Sequence, residues 1–156
     1  MIEKSAIFSP CRKYRFLLER HWKREKGYAL FVCLNPSTAD ENVDDPTVRR
    51  CIRFSERWGY GGLVVCNIFS IRSTDPKLLY QTDLLEPVKE NYEYIQQYSK
   101  CASITIAAWG NHGHYLNRGK TVLRYFLKSP HHLGLTKSGA PKHPLYLKSS
   151  TIPEKF

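Results

Sequence analysis

Tyr28-Ala29-Leu30-Phe31-Val32-Cys33-Leu34 is a near-continuous apolar run that stops abruptly at the polar loop Asn35-Pro36-Ser37-Thr38. A strand with one wet face alternates; a strand apolar at every position is covered on both faces. The same pattern returns at Gly62–Asn67, which runs into Ser70–Asp75, and at Ser103–Trp109, which ends in Gly110-Asn111-His112-Gly113. His131–Thr136 reads as a short final strand, followed by the loop Lys142-His143-Pro144-Leu145.

Helical patterns lie between these strands. Asp45 reads as an N-cap with Pro46 at the first helical position, and Val48, Cys51, Ile52, Ser55 and Trp58 follow at helical spacing up to Gly59. Leu85, Val88, Tyr92 and Ile95 mark a second helix, and Val122, Leu123, Phe126 and Leu127 a third. Ala6–Phe8 and Tyr14–Leu18 flank Ser9-Pro10 as an N-terminal hairpin. The alternation predicts one α/β domain over residues 1–156, with a parallel sheet, helices on both faces and residues 1–26 as a hairpin extension packed on it. Ligands of such sheets bind outside the carboxyl ends of the strands, where all four polar loops fall.

The chain has 156 residues, 24 Lys and Arg against 14 Asp and Glu, and a net charge of +10. Residues 1–26 carry eight basic and three acidic side chains, and residues 112–156 eight and one; the middle is nearly balanced. That field attracts polyanions, so nucleic acid or a nucleotide is an expected partner, against the plainer reading of a generic soluble surface. No window nears the ~20 apolar residues of a membrane span. Cys11, Cys33, Cys51, Cys66 and Cys101 are odd in number and never spaced as CxxC, so neither a disulfide framework nor a cysteine metal site is expected. No signal layout opens the chain, and a cytoplasmic location is expected.

The loops supply the candidate residues. Asn35-Pro36-Ser37 is either a plain turn or an amide and hydroxyl presented to a ligand. Asp40, Glu41, Asp44 and Asp45 form the acidic cluster. With Asp45 assigned to capping, Asp44 or Asp40 is the candidate carboxylate for holding or activating a water. Arg49, Arg53 and Arg57, with Arg50 beside them, make a stripe that is either a solvated face or a phosphate contact. Asn67 and Arg72 follow the second strand, and the Asn67 amide can match a base edge. Trp109, Gly110 and Asn111 follow the third. His112 and His114 lack a metal spacing, so no metal and no cofactor are expected. Lys142 and His143 occupy the last loop, where a histidine can donate to developing negative charge.

LNPSTAD (34–40), DDPTVRRC (44–51), CNIFSIRSTDP (66–76), AAWGNHG (107–113) and LGLTKSGAPKHPLYL (133–147) resemble the bacterial and phage family called domain of unknown function 1643. More distantly, the order of segments resembles the uracil-DNA glycosylase superfamily, its mismatch-specific branch in particular. That resemblance implies a three-layer sandwich around a mostly parallel four-stranded sheet. It also implies that Asn35-Pro36 positions a hydrolytic water, that Asn67 reads a base edge and that His143 contacts the leaving base. Pro36, Ser37, Phe69, Arg72, Trp109, Gly110, Asn111 and Lys142 become substrate-binding candidates, with Phe69 as a stacking aromatic and Arg49 and Arg53 as phosphate contacts. The chain departs from that pattern in reading His143-Pro144-Leu145-Tyr146, without the serine after proline, and in carrying Asn35 rather than aspartate.

The expectation is therefore an enzyme hydrolysing an N-glycosidic bond of nucleic acid or nucleotide, with Asn35, His143 and Asp44 as its catalytic residues. A non-enzymatic binding module on the same fold and a hydrolase of a small phosphorylated ligand are the alternatives.

Overall fold

The computed structural model describes residues 1–81 and 86–156. Its strands are β1 (Glu3–Phe8), β2 (Arg15–His21), β3 (Ala29–Cys33), β4 (Gly62–Asn67), β5 (Ile104–Ala107), β6 (His131–His132) and β7 (Glu154–Lys155). Its helices are α1 (Pro46–Arg57), α2 (Val88–Cys101) and α3 (Arg118–Leu123). The seven strands form one mixed sheet in the order β1-β2-β4-β3-β5-β6-β7. β4, β3, β5 and β6 run parallel, β1 and β2 add antiparallel beside β4, and β7 adds antiparallel beside β6.

The parity of β3 shows why its sequence has no polar position. Leu30 and Val32 pack on one face with Val64, Cys66, Tyr92 and Ile95 of α2, and Val122 of α3. Ala29, Phe31 and Cys33 pack on the other with Leu63, Val65, and Val48, Cys51, Ile52 and Phe54 of α1. Each fully buried Val, Leu, Ile or Phe among them contributes about 1.5–3 kcal/mol of transfer free energy. Asp45 caps α1, its Oδ1 accepting from the Val48 amide at 2.9 Å, and Pro46 is the first helical residue.

The N-terminal hairpin enlarges the sheet, because β2 pairs with β4 from Leu18 opposite Val65 to His21 opposite Gly62. Two details correct the sequence reading. The third helix stops at Leu123; Arg124 and Tyr125 continue only as turns bonded to Thr121 and Val122, and Leu127 is 52% exposed rather than inward. The final strand is two residues long, because Gly134 at φ +115° turns the chain out of extended pairing. Leu85, expected on α2, lies outside the described residues. β7 has no sequence signal, being two exposed residues held by pairing with β6. No helix among the described residues is long and apolar enough to cross a membrane.

Candidate functional site

The loops after β3, β4, β5 and β6 are sewn together at one edge of the sheet. Ser73 N–H donates to the Pro36 carbonyl at 2.8 Å, joining the first loop to the second. Gly110 N–H donates to the Pro141 carbonyl at 2.7 Å, joining the third to the fourth, with Gly110 held at φ +70°. Between them lies a cleft of about 550 Å³, within the range of small-molecule sites. Asn35, Asp45, Trp109, Asn111 and His143 are among its walls. A recess of about 30 Å³ at its floor is lined by Asn35, Ser37, Asp45, Asn67 and His143, together with Arg15 and Cys33.

Each polar side chain of the recess has a dictated orientation. Asn35 Nδ2 donates to the carbonyls of Pro36 at 3.1 Å and Ser73 at 3.0 Å, which leaves Oδ1 as an acceptor for a ligand or water. Asn67 is set the other way: its Oδ1 accepts from Arg15 Nη2 at 3.1 Å, so the amide has donation to offer. Asn91 of α2 donates to the Asn67 carbonyl at 2.8 Å and pins the end of β4. His143 Nδ1 accepts from the Leu145 amide at 3.2 Å, which puts the ring proton on Nε2. Burial lowers the His143 pKa and Asp45 opposes that shift, so the ring is a neutral donor at neutral pH.

Asp45 is the carboxylate that lines the cleft among the described residues. Besides capping α1 it accepts from the Ala39 amide at 3.3 Å. Capping chemistry and cleft lining coincide in one residue, which its helix-start signal concealed. Asp44 is corrected: its carboxylate accepts from Arg20 Nε at 2.7 Å and pairs with Lys4 at 3.5 Å, outside the cleft. Arg20 is fully buried, and its charge requires that partner. Asp40 holds its own turn, accepting from the Asn42 and Val43 amides at 2.8 Å, and those bonds lower its pKa.

Other expected contacts also fall elsewhere. Phe69 is fully buried under the Arg118 guanidinium at 4.2 Å, and Arg118 is itself paired with Glu86, so the ring has no face for a base. Arg72 reaches back to the Ser37 carbonyl at 3.4 Å and stacks on Phe8, bracing the first loop from outside. Lys142 is exposed and lies over Gly134, not in the cleft. Pro36 serves the site through its carbonyl, which takes both Asn35 and Ser73. Trp109 and Gly110 line the cleft, and Asn111 Oδ1 accepts from Thr136 and Ser138 at 2.6 and 2.7 Å, fixing the last loop.

The arginine stripe lies next to the cleft. A hollow of about 350 Å³ is lined by Arg49, Arg50, Arg53 and Tyr146, and it shares Pro46 and Leu145 with the cleft. A second hollow of about 470 Å³ continues along Arg50, Arg53 and Arg57. None of these four arginines pairs with a carboxylate among the described residues, although Arg49 donates to the Asp44 carbonyl at 2.6 Å. Tyr146 stands between cleft and stripe, 94% exposed and at φ +71°, an unfavourable backbone conformation for an aromatic residue.

Sequence reasoning missed Asp45 as a cleft residue, Arg15 and Tyr146. Arg15 lies within the expected hairpin segment Tyr14–Leu18, and no local signal marks it or Tyr146. Among the described residues no group of three or more His, Cys, Asp or Glu is placed to hold a metal ion, and all five cysteines are unpaired.

No curated protein and no solved structure matches the chain. The family described as Protein of unknown function (DUF1643) matches residues 15–145, a span that holds every residue lining the cleft, and the chain belongs to that family.

Proposed function

We propose that this chain hydrolyses an N-glycosidic bond in nucleic acid or a nucleotide, in the manner of base glycosylases. The observation that carries the reading is the convergence of Asn35, Asn67 and His143, far apart in sequence, on one recess. Asn35 Oδ1 holds a water by one proton, and Asp45 replaces Asp44 as the carboxylate that receives the other. The water oxygen bonds to C1′ as the C1′–N bond breaks, and the bonding pair leaves with the base. His143 Nε2–H donates to the charge developing there. The arginine hollows take the flanking phosphates, and Tyr146 offers an exposed ring for stacking a neighbouring base.

The test is incubation with uracil-, hypoxanthine- and mismatch-containing oligonucleotides, scored for abasic sites. Asn35→Ala and His143→Ala are each expected to remove most of the activity. Excision at the wild-type rate by both variants overturns the assignment of roles.

A second reading, a binding module without catalysis, is favoured by one observation. Both Asp45 oxygens already accept backbone amides, so the carboxylate is engaged in holding the start of α1. Oligonucleotide binding that falls steeply with salt, without base release by any member of the panel, establishes that reading instead.

A further inference from the structure

Arg15 is 2% exposed, yet among the described residues its guanidinium forms no ion pair with a carboxylate. Nη1 donates to the Ala39 carbonyl at 3.0 Å and Nη2 to Asn67 Oδ1 at 3.1 Å, both neutral acceptors. Nε is buried and has no hydrogen-bond partner among the described residues. A buried cation is ordinarily paired, because desolvation costs several kcal/mol per ion. Here burial pushes the Arg15 pKa down to about 10, which still leaves the group charged at neutral pH.

The groups facing Arg15 are Asp45 at the start of α1, Cys33 on β3, Cys66 on β4 and Arg72 beyond β4, and His143 shares the recess. Asp45 already serves two amides, and Arg72 adds positive charge of its own. Asn67, held by Arg15, and His143, held by Leu145, both present donors to the same recess. Arg15 and these two donors make one side of the recess complementary to negative charge, with Asp45 and the Asn35 Oδ1 acceptor also on its lining.

The recess is small beside the adjoining cleft, about 30 Å³ against about 550 Å³, so it takes the edge of a ligand whose larger body lies outside it. The adjoining cleft of about 550 Å³ accommodates that body. We propose that Arg15 is a buried cationic anchor that selects the inner end of the ligand, a planar heterocycle held through a deprotonated ring edge. This rests on the proposed function for the identity of the ligand as a base, but the role of Arg15 is tested by binding alone.

The probes are xanthine and 6-azauracil, a purine and a pyrimidine whose ring N–H titrates near neutrality, with inorganic phosphate as the competing anion. Affinity is measured by calorimetry between about pH 7 and 9, where Arg15 keeps its charge, His143 is neutral and the Cys66 thiol, pushed up by burial, stays protonated. At least one probe is expected to bind about tenfold or more tightly as its ring loses a proton. Arg15→Met removes that preference. Asn67→Asp is the second variant, since it places a carboxylate on Arg15 without emptying the core, and it too abolishes the preference.

Equal affinity for neutral and anionic rings, a preference that survives both folded variants, or no binding of either probe overturns the proposal. So does phosphate that competes for the same Arg15-dependent site. Excision of bases with unchanged Arg15 variants sinks this inference and leaves the glycosidase reading intact. Arg15-dependent anion binding without excision does the reverse.

Discussion

The Leu145 backbone N–H donates to Nδ1 of His143 at 3.2 Å, so a residue two places further along the same loop decides which ring nitrogen faces a ligand as a donor. Protonating the ring sets a second N–H against that amide. The arrangement suits a histidine that works in its neutral form.

Stability carries the corresponding pH dependence. The folded His143 pKa lies below its ordinary value of 6.5, mainly through burial. Between the two values the unfolded chain binds more protons, so the contribution is complete above the unfolded pKa and is lost as pH falls through that window. His143→Gln is expected to flatten the acid side of a plot of Tm against pH, and an unchanged acid slope counts against the buried neutral ring.

Asp45 and Asp44 are neighbours with separable tasks. Asp45→Asn keeps an oxygen for the Val48 amide and loses the one that takes the Ala39 amide, so it destabilises less than Asp45→Ala while glycosidase activity falls. Asp45→Ala loses the cap as well and costs about 1 kcal/mol in urea denaturation. Asp44→Ala leaves Arg20 buried without its carboxylate and costs about 3 kcal/mol, with any loss of activity following the loss of fold. Equal activity in Asp45→Asn and wild type rejects the proton-accepting role.

Trp109 packs so closely on Gly113 and Gly119 that neither tolerates a side chain. A Cβ on Gly113 lies 2.0 Å from Trp109 Cδ1, and one on Gly119 lies 2.6 Å from Nε1. Gly113→Ala therefore displaces the indole that walls the cleft. The expected cost is about 1–3 kcal/mol, with altered tryptophan emission and weakened ligand binding. Wild-type emission and stability contradict the packing described.

The arginine stripe predicts a salt signature. If Arg49 and Arg53 contact phosphates, each alanine variant lowers the slope of log K against log salt by about 0.7–0.9 for oligonucleotide binding. Charge reversal at Arg124, remote from the hollows, leaves that slope unchanged. An unaltered slope in Arg53→Ala makes the stripe a solvated face.

Much of the architecture is legible locally. The apolar run at Ala29–Cys33 follows from burial on both faces, and the start of α1 follows from Asp45 and Pro46, whose backbone chemistry is decided within a few residues. The carboxyl-edge position of Asn35, Asn67 and His143 follows from strands ending in polar loops. Partner choice across the fold is another matter. Asp44 and Asp45 are identical in type and adjacent in sequence, and only the arrival of Arg20 from β2 commits one of them to pairing a buried cation. Phe69 and Arg118 lie far apart in the chain, and their stacking withdraws the ring from the cleft. The sheet's extension by β2 and β7 depends on hydrogen bonds that carry no side-chain signature. The apolar pattern selects strands and helices because burial acts on each residue separately; the charge, tautomer and amide orientation of the site are settled by pairwise contacts that exist only once the chain has folded.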